Sequence, residues 1–201
     1  MEHPKKERTL VIIKPDGIQR TLIGEIIRRY ERTGLKLVAL KMISPTENLV
    51  EKHYTVDPDW IRKVGEKSIA SYQGKGLEAP FKNPEDCGRA VLGRLKKYMT
   101  TGPVIALVWQ GNKAVGIVRK LTGGTEPLAS DVGTIRGDFT IDSYDMSDLD
   151  ERAIRNLIHA SGSVDEAEKE IAIWFKKDEI YKYNLVQEKI IYDVNVDGIL
   201  E

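Results

Sequence analysis

At 201 residues the chain has room for one compact domain with a real hydrophobic core, or for one domain with sizeable insertions, and little room for two. Its 31 basic and 31 acidic side chains cancel, so no overall field favours nucleic acid or an anionic membrane, and any anion site must be built locally. A single cysteine, Cys87, excludes an internal disulfide, and with only His3, His53 and His159 it leaves too few soft ligands for a structural zinc centre.

Residues 1–8 are charged and lack the apolar core of a secretory signal. No later apolar run approaches the roughly 18 residues of a membrane span, and the expectation is a soluble cytoplasmic protein. Residues 10–13 form a short apolar run that suits a buried strand, stopped by Lys14-Pro15-Asp16-Gly17. Asp16 and Gln19 are spaced to cap a following helix. Ile18, Leu22, Ile23, Ile26, Ile27 and Tyr30 recur at helical spacing, with Gly34 placed to end the helix.

Residues 35–43 read as a second strand. Ser44-Pro45-Thr46-Glu47 then offers a cap serine, a first-turn proline and a capping-box glutamate for a helix running toward Tyr54. Residues 103–109 read as a third strand, 114–121 as a short helix ended by Gly123-Gly124, and 155–159 as a fourth strand. Ser163 opens a helix with Val164, Ala167, Ile171, Trp174 and Phe175 on one face.

Strands and helices alternate without a dinucleotide fingerprint, which predicts an α+β sandwich of helices on a small sheet. Two stretches stand outside this pattern. Residues 57–97, punctuated by Gly65, Gly74, Gly76, Pro80 and Pro84, predict an inserted subdomain of two short helices around a glycine-rich connection. Residues 140–151, acidic and poor in aromatics, predict a surface insertion.

No glycine-rich phosphate loop is present, so a nucleotide enzyme built on this chain must hold phosphates with side chains. Lys14 sits at a strand end beside a helix start, where amide groups also favour an anion. Arg119 lies late in a short helix. Arg136 lies in Gly133-Thr134-Ile135-Arg136-Gly137-Asp138, where flanking glycines keep the loop close to whatever the guanidinium grips. His159 is set among small and polar residues, with Ser161, Ser163 and a helix start nearby and Glu170 within reach of a ring nitrogen. An imidazole held by a carboxylate has its tautomer fixed and its other nitrogen free to attack phosphorus. Singly, each of these residues also fits an ordinary surface charge or a structural histidine.

Three segments taken together resemble the nucleoside diphosphate kinase family. They are Thr9-Leu10-Val11-Ile12-Ile13-Lys14-Pro15-Asp16-Gly17, Thr134-Ile135-Arg136-Gly137-Asp138-Phe139, and Asn156-Leu157-Ile158-His159-Ala160-Ser161-Gly162-Ser163-Val164. The resemblance implies a ferredoxin-like antiparallel four-stranded sheet covered by helices, carried by a single domain over residues 1–201. It also implies a ping-pong reaction in which His159 takes the γ-phosphoryl of a nucleoside triphosphate and passes it to a diphosphate. It implies that Lys14 meets the transferring phosphate and the sugar, and that Tyr54 shapes the surroundings of His159. Arg119, Thr125 and Arg136 would bind phosphates, Asn156 the ribose, and Glu170, with Ser161 beside it, would orient His159. Mg²⁺ would arrive on the nucleotide, with no metal ligands from the chain itself. A homo-oligomer is expected.

The chain departs from the family pattern at Gly162, where aspartate is usual, and at Glu126 and Val132 in a loop often used for subunit contacts. The 57–97 insertion displaces the usual base-stacking phenylalanine. Backward alignment from Lys97-Tyr98-Met99 puts Val91 in that place and Arg89 near the phosphates. The rival reading is a non-catalytic nucleotide-binding or scaffolding relative, which would carry a broken site; here the histidine, lysine, arginines, threonine, asparagine and glutamate all stand where the resemblance needs them.

Overall fold

The computed structural model describes residues 4–195 and 197; His3 lies outside the described residues. Strand β1 (Arg8–Ile13) is followed by helices α1 (Pro15–Gln19) and α2 (Ile23–Glu31), strand β2 (Lys36–Ile43) and helix α3 (Glu47–Tyr54). Helices α4 (Trp60–Gly74) and α5 (Pro84–Met99) then lead to strand β3 (Val104–Gln110) and helix α6 (Ala114–Thr122). Two short helices, α7 (Ile135–Phe139) and α8 (Tyr144–Leu149), precede strand β4 (Ile158–Ala160) and helix α9 (Val164–Trp174).

The sheet order is β2-β3-β1-β4 with every pairing antiparallel, the ferredoxin-like arrangement. Side chains of a strand alternate between faces, and β1 shows the consequence. Val11 and Ile13 pack with Ile26, Tyr30, Trp109 and Val118 on one face. Leu10 and Ile12 pack with Val50, Met99, Ile171 and Trp174 on the other. Covered on both faces, the central strand brings its C-terminal end, at Lys14, into the interior.

Four sequence expectations change at this level. The helix expected from Ile18 to Gly34 is broken in two. The Leu22 amide bonds the Gly17 carbonyl and the Thr21 amide bonds Ile18, with Thr21 at φ 58°, a left-handed C-terminal cap that stops α1. Helix α3 is capped by Thr46, whose hydroxyl accepts from the Leu49 amide at 3.2 Å, rather than by Ser44. The fourth strand begins only at Ile158, because Leu157 takes φ 67° and cannot join the ladder. Residues 140–151, expected as a surface insertion, are not among these; they contain a helix, α8, opened by the Ser143 hydroxyl on the Met146 amide.

The largest change concerns residues 57–97. They hold the two helices expected, α4 and α5, joined over residues 75–83, but of 15 and 16 residues rather than short. Gly65 and Gly88 are the points where the two helices touch. A Cβ on Gly65 would lie 1.8 Å from the Pro84 carbonyl oxygen, and one on Gly88 would lie 2.0 Å from that of Ile61. Gly93, by contrast, faces open space. Gly88→Ala should therefore force the helices apart and destabilise by about 1–3 kcal/mol. Gly93→Ala should stabilise by about 0.5–1 kcal/mol through helix propensity alone. Calorimetric unfolding of the two variants checks the opposite signs.

Candidate active site

The site forms where β1 and β4 end. The Lys14 amide donates to the Leu157 carbonyl at 2.8 Å, and the Leu157 amide donates to Asp16 Oδ2 at 3.1 Å. These bonds fix the left-handed turn at Leu157, a conformation costly for a bulky side chain and maintained by its surroundings. The turn places Asn156 beside Lys14, and Lys14 Nζ donates to Asn156 Oδ1 at 2.6 Å. Two residues on, His159 pairs with Ile12 across the sheet.

His159 Nε2 lies 2.9 Å from Glu170 Oε1, with the carboxylate out of line for a full hydrogen bond. The other oxygen of Glu170 accepts from the Ser161 hydroxyl at 2.5 Å. His53 stands on the far side, its Nδ1 3.5 Å from Glu170 Oε1 and its ring edge-on to His159 at a centroid distance of 4.3 Å. Trp174 Nε1 donates to His53 Nδ1 at 3.3 Å; an indole only donates, so the His53 proton is assigned to Nε2. Burial, reinforced by neighbouring cationic or imidazole groups, pushes both imidazoles down to about 3, and burial raises the Glu170 carboxyl. Both histidines are neutral at physiological pH, and a neutral imidazole is a nucleophile. His53, His159 and Glu170 bring ligand atoms within 4.8 Å of one another. Lys14, Arg136 and Arg119 surround His159 with positive charge, which opposes a cation there.

The cations come from three further elements. Helix α6 ends at Gly123, φ 88°, leaving the Arg119 guanidinium exposed to the cleft with no hydrogen bond or ion pair among the described residues. Thr134 caps α7 through its hydroxyl on the Gly137 amide at 3.0 Å, which turns Arg136 inward. Arg136 donates to the carbonyls of Asn156, Gly123, Gly124 and Ile158, leaving at least one of its five N–H donors toward the cleft. Thr125 lines the same cleft, and its carbonyl accepts from the Asn156 amide at 2.8 Å. Glu166 Oε2 accepts from the Gly162 amide at 2.8 Å and occupies the space a side chain on residue 162 would take.

These residues line a cleft of about 560 Å³, together with Tyr54, Trp60, Val64, Val91 and Leu95. All nine residues singled out from the sequence, Lys14, Tyr54, Val91, Arg119, Thr125, Arg136, Asn156, His159 and Glu170, border it. Arg89 does not; it is exposed and outside the lining. Leu92 is buried away from it. Sequence reasoning missed His53 and Trp60. The signal available for His53 was its three-residue spacing from Val50 on the buried face of α3.

Buried Lys14 and Arg136 have only neutral hydrogen-bond partners, so the pocket calls for an anionic ligand, and a neutral imidazole beside them faces that ligand. Such an arrangement defines a phosphotransferase. A family model described as nucleoside diphosphate kinase matches residues 7–60 and 83–180. A nucleoside diphosphate kinase of Pyrobaculum aerophilum is 46% identical over 178 residues, 87% of this chain and 97% of that protein. Human nucleoside diphosphate kinase 3 is 42% identical, over 87% of this chain and 80% of its own length. Among solved structures, an NDP kinase from Pyrobaculum aerophilum aligns with a TM-score of 0.85 at 42% identity, over 88% of this chain and all of that one. A nucleoside-diphosphate kinase from Borrelia burgdorferi, a transition state mimic with bound vanadate and ADP, aligns at 0.76 with 37% identity, over 93% and 97% of the two chains. The chain belongs to the nucleoside diphosphate kinase family and is an enzyme that transfers phosphoryl groups between nucleotides.

Burial and the neighbouring Arg136 push the Lys14 ammonium down to about 7. Below that pH it carries the charge that attracts a phosphate, and above it the charge is lost. The affinity of the wild type for ADP, relative to that of Lys14→Met, should therefore decline as pH rises from 6 to 9. Isothermal titration calorimetry of both proteins across that range checks the difference, which cancels the titration of ADP itself.

Proposed function

We propose that His159 carries the phosphoryl group between the two half-reactions. The observation that carries this reading is the contact of its Nε2 with Glu170, which leaves Nδ1 as the nitrogen available to a phosphate in the cationic cleft. The Nδ1 lone pair forms a bond to the γ-phosphorus of a nucleoside triphosphate. The bond from that phosphorus to the β-phosphate oxygen breaks, and its electrons leave on the diphosphate. Phosphorylation makes the ring cationic, with the remaining proton on Nε2 facing the Glu170 carboxylate. The second half-reaction reverses the step, an oxygen of an incoming diphosphate attacking phosphorus and His159 leaving as the neutral imidazole.

Lys14, Arg119 and the remaining Arg136 donor meet charge spread over the phosphate oxygens, and Thr125 adds a hydroxyl. Asn156, fixed between Lys14 and the Thr125 carbonyl, stands at the ribose side. Tyr54 packs against His53 and Trp60 at 4.8 and 5.4 Å between centroids, forming the wall beside His159. The donor set at the phosphate end is cationic, which fits Mg²⁺ carried on the nucleotide rather than held by the chain. Glu166 is the carboxylate placed where residue 162 would present one. Bound in that way, Mg²⁺ would neutralise phosphate charge.

The described residues form one domain; the family match leaves out 61–82, which supports an insertion that holds most of α4, while α5 lies within the matched 83–180. Exposed Leu40 and Met42 on edge strand β2, and Leu128 and Val132 in the loop after α6, support self-association into a homo-oligomer. No helix among the described residues is long and apolar enough to cross a membrane, and the lone cysteine, buried and free, suits a reducing cytoplasm.

Incubation with γ-labelled ATP should yield an acid-labile phosphoprotein, lost in His159→Ala with the fold intact. Label on His53, or label retained by the variant, would sink the mechanism. Because Glu170 orients rather than transfers a proton, Glu170→Gln should keep a larger share of kcat than Glu170→Ala. Equal losses near the roughly 10²- to 10⁴-fold expected of a proton-transfer partner would refute the orienting role.

A further inference from the structure

We propose that Asp148 is a positioning residue for the nucleoside: from α8 it ties down α4 and α5 through Lys75 and Arg94, and so fixes the walls of the slot that receives the base. The proposal rests on the phosphoryl-transfer reading, which assigns the phosphates to the Lys14, Arg119 and Arg136 end of the cleft. The nucleoside must then extend along the remaining walls, which α4, α5 and α8 supply. Helix α4 contributes Val64, Ser68 and Ser71 to the lining, α5 contributes Val91 and Leu95, and α8 contributes Tyr144 and Ser147.

Helix α4 lies almost wholly in the 61–82 stretch that the family model does not match. Its place against the cleft lies outside the part of the fold that the family model describes and depends on attachments of its own. One is the contact at Gly65 and Gly88, which makes α4 and α5 a single hairpin. The other is ionic and lies at the end of α4. Lys75 Nζ reaches Asp145 Oδ1 at 2.7 Å and Asp148 Oδ2 at 3.4 Å, while Asp148 Oδ1 lies 4.0 Å from Arg94 Nη1 on α5.

Of the two acids on α8, Asp148 is the one able to act as the tie. Its side chain is 22% exposed, against 78% for Asp145, so its interactions are less screened, and it alone faces both helices of the hairpin. It also borders the cleft, as does Arg94. The bridge thus joins the two stretches, 57–97 and 140–151, that the sequence reading took as insertions. Because neither Lys75 nor Asp148 approaches His159, loosening the bridge should weaken nucleotide capture without touching the transfer step.

The experiment compares Asp148→Asn, Lys75→Met and the double variant in steady-state exchange at about 50 mM and about 500 mM salt. At low salt each single variant should raise KM for ADP about two- to fivefold, the range an incompletely buried ion pair supports, with kcat within twofold of wild type. The double variant should raise KM by less than the product of the two single effects, since the Lys75–Asp148 pair is lost in both, whereas Lys75–Asp145 and Asp148–Arg94 are each lost in one. At high salt the gap from wild type should close. An unchanged KM at low salt, a fall in kcat at constant KM, or singles whose effects multiply would each overturn the proposal. Labelling of His159 by γ-labelled ATP in the wild type separates the two failures. Absence of label refutes the phosphohistidine mechanism itself, whereas normal label with unchanged KM refutes only the tie. Lys75→Met, at the end of α4, keeps the test decisive if Asp148→Asn fails to fold.

Discussion

Two buried cations with no carboxylate hydrogen-bonded to them organise this molecule. Lys14 is 5% exposed and Arg136 8%, and their hydrogen-bond partners are the Asn156 amide and four backbone carbonyls. Burying a charge without a counter-charge is expensive, and the cost appears in the lowered affinity of both groups for their protons, to about 7 for Lys14 and about 10 for Arg136. Much of the local backbone exists to make that burial tolerable. The α6 end at Gly123, the capped turn of α7 and the left-handed kink at Leu157 bring carbonyls or the Asn156 amide to these two side chains. An arriving polyphosphate supplies the missing negative charge, so binding relieves an electrostatic cost already present in the fold.

The same field governs the histidine. Burial, reinforced by the two buried cations and the exposed Arg119, keeps His159 neutral and nucleophilic across the physiological range. Glu166 offsets this only in part. Glu170 is itself buried, and one of its oxygens accepts from the Ser161 hydroxyl. On the proposed mechanism the ring becomes cationic when phosphorylated, and the Glu170 carboxylate then faces it as a compensating group. Ser161 and Trp174 act one step further out, Ser161 fixing Glu170 and Trp174 fixing His53.

Legibility in the sequence followed the range of the interaction. Lys14, Arg136 and His159 lie within short motifs, and their strands and helices have clear periodicity; the antiparallel four-stranded sheet, and Tyr54, Val91, Thr125 and Asn156 as site residues, followed from the family resemblance that those motifs carry. The kink at Leu157 was not legible, because it depends on the Lys14 amide and the Asp16 carboxylate across the sheet, and a leucine carries no local signal for positive φ. Thr21 hid the break between α1 and α2 for the same reason. His53 was passed over because its partners, Glu170 and Trp174, lie more than a hundred positions away.

The glycines of residues 57–97 show how one residue type supports opposite readings. In sequence, Gly65, Gly74 and Gly76 resemble the punctuation of a loop, and a loop beside an active site invites the idea of a lid. In the fold, Gly65 and Gly88 lack a side chain so that two helix backbones can touch, which stiffens the segment. Only Gly76, at φ 69° beyond the end of α4, serves as a turn. A stiff hairpin can still move as a unit, but only if its far end is released, and that end is joined by Lys75 to the acids of α8. Any adaptation of the base slot then falls not on these glycines but on a salt-sensitive contact between two surface segments. That contact is weak enough to open and specific enough to define where the hairpin returns.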